Sequence, residues 1–290
     1  MELAAALIVL GHVCGVVVLG WLYFRRYQVA RPPIGIFNLA DVAIVLCGVV
    51  VVPVAYLTLP LWLVGGLLAI GALGALSAVL EPIVRSRGAR WATLCAVAVT
   101  ELWLAAGDAA AGSPLPTINN VVVGLVALGI ANLWAQSGLR ARDAALLGAA
   151  LAVYDVVATS WLPLMGDLFS RVAALPFAPL VSWPISDDAA VGIGLGDLLV
   201  ATLFPLVMRK AYGRAAGLTA LGLGIGGIVV AFLVTGWAAL AIFPVMVVLG
   251  PLMVVQYGIW GWQRGPERTT WHYLQDEPLE ARPVRPACAL

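Results

Sequence analysis

Apolar residues run through this chain in long blocks, interrupted by short breaks of charge, proline and glycine. A helix needs about 20 consecutive apolar residues to cross roughly 30 Å of hydrocarbon. Runs close to that length fall at about 3 to 24, 36 to 57, 61 to 80, 91 to 107, 120 to 137, 144 to 164, 189 to 208, 215 to 236 and 239 to 262. The pattern predicts an all-α polytopic membrane protein, with nine transmembrane helices making one domain over residues 1–262. From about residue 263 the aliphatic blocks give way to Pro, Glu, Arg and a His272-Tyr273 pair, which predicts a polar tail over 263–290. The connection between the sixth and seventh runs holds Asp167, Arg171, Pro176, Pro179, Trp183, Pro184, Asp187 and Asp188, and is expected to be an amphipathic or extended segment.

Composition agrees with a lipid setting. Of 290 residues, 62% are hydrophobic and 11% charged, too few polar groups to cover a water-soluble domain. The net charge is +1 with no basic stripe, so nucleic acid is not an expected partner. Cys14, Cys47, Cys95 and Cys288 show no CxxC pairing and no His/Cys spacing, so neither a disulfide framework nor a metal or other cofactor is expected. Lys210 is the single lysine against fifteen arginines, and with the Ala, Val and Gly richness this suggests a GC-rich, prokaryotic source.

The basic residues predict the orientation. Alternate connections hold Arg25, Arg26 and Arg31; Arg85, Arg87 and Arg90; Arg140 and Arg142; Arg209, Lys210 and Arg214; and the tail adds Arg264, Arg268, Arg282 and Arg285. The other side holds Arg171 alone. Basic flanks stay cytoplasmic, which puts the N-terminus outside and the tail inside the cell membrane.

Acids within the apolar runs carry the candidate chemistry, because each costs about 2.5–3.5 kcal/mol to insert. Asp41, Glu101, Asp155 and Asp197 qualify. At about 1.5 Å per residue, Asp155 lies roughly 20 Å beyond Arg142, and Asp197 roughly 18 Å before Arg209. Two neighbouring antiparallel helices therefore bring both carboxyls to one level. Such a pair holds one proton between its members and can activate water while polarising a carbonyl. Gly192, Gly194 and Gly196 precede Asp197 at two-residue spacing, clearing side chains from its approach. Asp41, Glu101 and His12 are expected to be structural, hydrogen-bonded within the helices.

These residues resemble the motifs of the presenilin and signal peptide peptidase group of GxGD intramembrane aspartyl proteases. Tyr154-Asp155 is similar to the family's YD motif, and Gly194-Leu195-Gly196-Asp197 to its GxGD motif. Pro244-Val245-Met246 occupies the place of its PAL motif, with Val and Met replacing Ala and Leu. The resemblance implies a presenilin-like fold in which Asp155 and Asp197 are catalytic. It also implies that Tyr154 lines the site, that Gly194, Leu195 and Gly196 shape the substrate approach, and that Pro244, Val245 and Met246 contact the substrate strand. The orientation looks like signal peptide peptidase. By resemblance, the partners are transmembrane-helix peptides, either type II proteins or remnant signal peptides, met within the lipid bilayer. The rival reading is a proton- or ion-coupled transporter that relays through the four acids.

Overall fold

A computed structural model describes residues 2–29, 37–107, 114–162, 164–186, 189–237 and 244–267 of the chain. Ten helices and one hairpin follow in order: α1 (Glu2–Arg26), α2 (Leu39–Thr58), α3 (Leu61–Leu80), α4 (Arg87–Ala106), α5 (Leu115–Gln136), α6 (Ala141–Val156), α7 (Leu164–Val172), β1 (Leu180–Ser186), β2 (Ala189–Gly194), α8 (Leu195–Tyr212), α9 (Arg214–Trp237) and α10 (Met246–Arg264). The protein is a mostly helical polytopic membrane protein. Among the described residues, six helices (α1 to α5 and α9) are long and apolar enough to cross a membrane. A seventh span results if α6 and α7, bent by 84° about their break, count as one interrupted crossing.

The remaining helices fall short for physical reasons. α6 has 16 residues. α8 carries Asp197, Arg209 and Lys210 within its 18 residues. α10 interrupts its aliphatic residues with Gln256 and Gln263.

The expected helical membrane architecture holds, with one antiparallel hairpin, β1 and β2, set into it. One sequence expectation is corrected: the run at 189–208 is not one helix, because residues 189–194 are strand and α8 starts at Leu195. Glycine at every second position suits an extended chain, since Gly192 sits so close to β1 that a methyl group there would lie 2.6 Å from the Val181 carbonyl oxygen. The sixth run, expected at 144–164, is helical from Ala141 and passes after Val156 into a π-helical turn, Val157–Trp161. Residues 239–243 of the ninth run and 268–290 of the tail lie outside the described residues.

The interior is built from α1, α5, α6, α8, α9 and α10, which share one large apolar cluster. A second cluster joins α3, α4, α5, α7 and the start of β1. Leu195 packs against both. Lipid offers apolar side chains no incentive to leave it, so membrane helices associate where small residues let backbones approach. The α6–α10 pair shows this: a methyl on Gly250 would lie 2.5 Å from the Gly148 carbonyl oxygen and 2.8 Å from Ala152 Cβ.

Candidate active site

The site forms where three elements end or bend. α6 brings Tyr154 and Asp155 to its last turn, immediately before the π-helical segment. Such widened turns recur at functional positions because they displace the side chains around them. β2 ends at Gly194, which is the N-cap of α8, and Asp197 sits in the first turn of that helix. α10 begins at Met246, with Val245 as its N-cap.

These termini converge on Asp155. Its Oδ2 accepts the backbone N–H of Met246 at 3.0 Å, and its Oδ1 accepts the Thr159 hydroxyl at 3.2 Å. Asp197 lies within reach of the Asp155 charge, so the two carboxyls form an interacting pair across the α6–α8 contact. Both are half-buried. Tyr154 lies within the field of Asp155, and its phenol oxygen is buried with no hydrogen-bond partner among the described residues.

The glycines before Asp197 are not equivalent. Gly192 is demanded by the hairpin, as above. A methyl on Gly194 would make ordinary contact with Phe169 Cζ at 3.5 Å and Asp197 Oδ2 at 3.6 Å. A methyl on Gly196 would meet nothing within 4 Å. Packing therefore does not require Gly196, and its backbone is open to approach. Leu195 secures the junction by donating its N–H to the Pro179 carbonyl at 2.9 Å. Pro244 accepts the Val247 N–H, and Val245 and Met246 are buried.

The hairpin has one covered edge and one open edge. Ser182 of β1 gives its N–H to Asn120 Oδ1 at 2.9 Å, and its carbonyl accepts from Asn120 Nδ2 at 2.8 Å. Asn119 Nδ2 adds bonds to the Ala178 and Leu180 carbonyls. Two side chains of α5 thus occupy the outer edge of β1. Ser182 pairs with Gly192, and in an antiparallel ladder both members of a pair facing away from each other's strand turn their polar groups outward. The N–H and carbonyl of Gly192 therefore point away from β1 at an exposed position, with no partner among the described residues. This open strand edge leads directly to Asp197.

The other acids lie elsewhere. Asp41 is not deep in a span: it closes a capping box in the first turn of α2, accepting the Asn38 N–H at 2.7 Å. Glu101 is fully buried in α4, where its Oε2 accepts the Phe177 N–H at 3.4 Å. Phe177 has φ of 59°, a left-handed conformation rare for a bulky residue, and it turns the chain between α7 and β1. His12 contacts the Asn120 carbonyl through Nε2 at 2.9 Å. All three serve the scaffold around the hairpin and the helix ends. Among the described residues no group of three or more His, Cys, Asp or Glu is arranged to hold a metal.

Sequence reasoning missed Thr159, Asn119 and Asn120. Thr159 follows Asp155 by four residues, the spacing that puts two helical side chains on one face. Two adjacent asparagines inside an apolar run, Asn119 and Asn120, carry polar amides that need partners where there is no water, and that is the signal along the chain. No protein-family model matches this chain, and no curated protein matches it.

Proposed function

We propose that this protein is an intramembrane aspartyl endopeptidase that hydrolyses peptide bonds within transmembrane helices, with Asp155 and Asp197 as its catalytic pair. The observation that supports this most directly is that those two carboxyls lie at helix ends within each other's electrostatic reach, one of them approached along an unpaired strand edge. Two acids in each other's field share a proton and titrate together. The ionised member takes a proton from water as the water oxygen bonds to the scissile carbonyl carbon, and the protonated member donates to the carbonyl oxygen. No covalent intermediate is required.

The surroundings suit a substrate that enters as a membrane helix. A helical peptide bond is shielded by its own hydrogen bonds, so the segment must first be extended. An extended segment has unpaired backbone groups, and the Gly192 edge offers their complement by strand addition. The missing side chains at Gly194 and Gly196 would then let the substrate backbone reach Asp197. Pro244, Val245 and Met246 would lie on the far side of the bond, tied to Asp155 through the Met246 N–H.

On this reading α6, α8 and α10 also cross the bilayer, giving nine spans, with their polar residues shielded by protein. Glu267, just past α10, reaches the N-terminus of α6, while Met246, which starts α10, reaches Asp155 near the end of α6, so these two helices run antiparallel. That fits an N-terminus outside and a tail inside, in a prokaryotic cell membrane. Substrates with cytoplasmic N-termini, such as type II proteins or remnant signal peptides, follow from that polarity and from the family resemblance. A transporter relay through four acids finds no support, since Asp41 is engaged in a cap and Glu101 at the Phe177 turn.

The test is cleavage of a type II transmembrane peptide by detergent-purified protein, with the products' masses placing the cut inside the apolar segment. Asp155→Ala and Asp197→Ala are each expected to abolish it, because neither carboxyl does both jobs. Cleavage that survives either substitution removes the proposal.

A further inference from the structure

One proton on two carboxyls has two possible homes, and the surroundings of this pair are unequal. We propose that Thr159 is a positioning residue which, together with the Met246 N–H, holds Asp155 as the ionised base and leaves the shared proton on Asp197. This rests on the peptidase reading and adds a division of labour to it.

Both Asp155 oxygens are occupied by donors, the Met246 N–H on Oδ2 and the Thr159 hydroxyl on Oδ1. Asp197 accepts no hydrogen bond from any described residue, and the charge acting on it is that of Asp155. Donors favour the charged form of the carboxyl that receives them, and hydrogen bonds to an ionised group are among the stronger polar contacts in a protein. Helix fields do not reverse the preference. Asp197 lies in the first turn of α8, and Asp155 receives a bond from the first residue of α10, so each carboxyl faces the positive end of a helix, while the helix that bears Asp155 runs on through the π-helical turn to Trp161 and carries its negative end beyond the carboxyl. Among the described residues no cation and no third acid acts on either carboxyl, and Tyr154 is the one further titratable group in reach of Asp155.

Thr159 is also distinct from its counterparts. Thr58, Thr93, Thr202, Thr219 and Thr235 each return their hydroxyl to the main-chain carbonyl four residues back, the ordinary habit of a helical threonine. Thr159, at the same spacing, turns to the Asp155 side chain instead. It does so inside the π-helical segment, where the backbone bonds reach five residues back, as in Leu162 N–H to Val157. The widened turn thus sets a hydroxyl against the carboxylate rather than the main chain.

The assignment gives each proton a path. Asp155 accepts a proton from water as the C–O bond forms, and Asp197 protonates the carbonyl oxygen. The C–N bond then breaks as Asp155 passes its proton to the leaving amine nitrogen, and a hydroxyl of the tetrahedral carbon returns its proton to Asp197. The pair ends as it began.

Two measurements test this on the intact protein. In the cleavage assay, Thr159→Val is expected to lower kcat roughly tenfold with KM unchanged, and Thr159→Ser to restore it. An unchanged kcat in Thr159→Val, or a Thr159→Ser as impaired as the valine variant, overturns the role of Thr159. Infrared difference spectra need no turnover. The carbonyl stretch of a protonated carboxyl is expected to vanish in Asp197→Asn and persist in Asp155→Asn, and the reverse pattern overturns the proton's placement. If the wild-type protein cleaves nothing, the peptidase reading fails, while the spectra still decide which carboxyl is protonated.

Discussion

The helices that are most compatible with lipid and the helices that build the site differ in a simple way. α2 has a mean hydropathy of 2.4 in its most apolar stretch, yet only 11% of that stretch is buried inside the protein. α5 is less apolar, at 1.7, and 67% buried. In water the ranking would be reversed, because apolar surface would be driven inward. In a bilayer the lipid accepts Ile44, Ile70 and Trp103 without cost, and they are exposed. What must be enclosed is polar: Asn119, Asn120, Asn132, Thr202, Arg209 and Gln256 are all buried on α5, α8 and α10. Hydropathy therefore marks the wall of this molecule, and departures from it mark the interior.

That contrast is open to attack by paired substitutions. The largest difference is expected between carboxyls: Asp197→Ala eliminates peptide cleavage, whereas Asp41→Ala leaves the rate unchanged and costs only about 1 kcal/mol of stability from the lost cap. Parallel kinetics and thermal unfolding in detergent read both. Loss of cleavage on removing Asp41 would restore it to the mechanism.

Glycines give the next contrast. Gly250→Val drives a branched side chain into the Gly148 carbonyl, and is expected to destabilise the protein by about 1–3 kcal/mol. Gly66→Val, with open space at its Cβ, is expected to change stability by less than about 0.5 kcal/mol. Equal effects in unfolding measurements would show that α6 and α10 do not touch closely.

Ion pairs supply a smaller one. The Glu267 side chain is 1% exposed, pairs with Arg140 at 3.2 Å and accepts the Ala141 N–H at 3.0 Å, so it fastens the segment after α10 to the start of α6. Glu267→Ala is expected to cost about 1–3 kcal/mol, since it strands buried donors. The exposed Glu81–Arg90 pair, at 3.5 Å, is expected to contribute about 0–1 kcal/mol and to weaken in salt. Double-mutant cycles at two salt concentrations separate the two cases. Last, the wild-type cleavage rate is expected to fall on both sides of an optimum pH, because only the singly protonated pair is competent. A flat profile would speak against a coupled pair.

How much of this was legible along the chain varies from residue to residue. The acids at 155 and 197 stand out because a charge in an apolar run is conspicuous by itself, and counting residues from Arg142 and Arg209 gives both a similar depth. Asp41 is as conspicuous and has the structural role expected of it, but the form of that role, a capping box, depends on Asn38 turning back, which no hydropathy average records. Residues 189–194 read as part of a helix along the chain, because Ala, Val, Ile and Gly are apolar in either conformation, and pairing with 180–186 makes them strand.

Hydropathy along the chain is enough to show a membrane protein rich in helices, and which acids are costly enough to matter. Those properties are local: the transfer of each residue between water and lipid is nearly independent of its neighbours in space. The folded arrangement was needed to put Asp197 within reach of the Asp155 charge and Glu101 against Phe177, to bring an α10 backbone N–H to a carboxylate on α6, and to leave one edge of the hairpin covered by α5 and the other open. Those outcomes depend on which polar groups face one another across more than forty residues of chain, and in a medium without water every such pairing is chosen jointly with the rest.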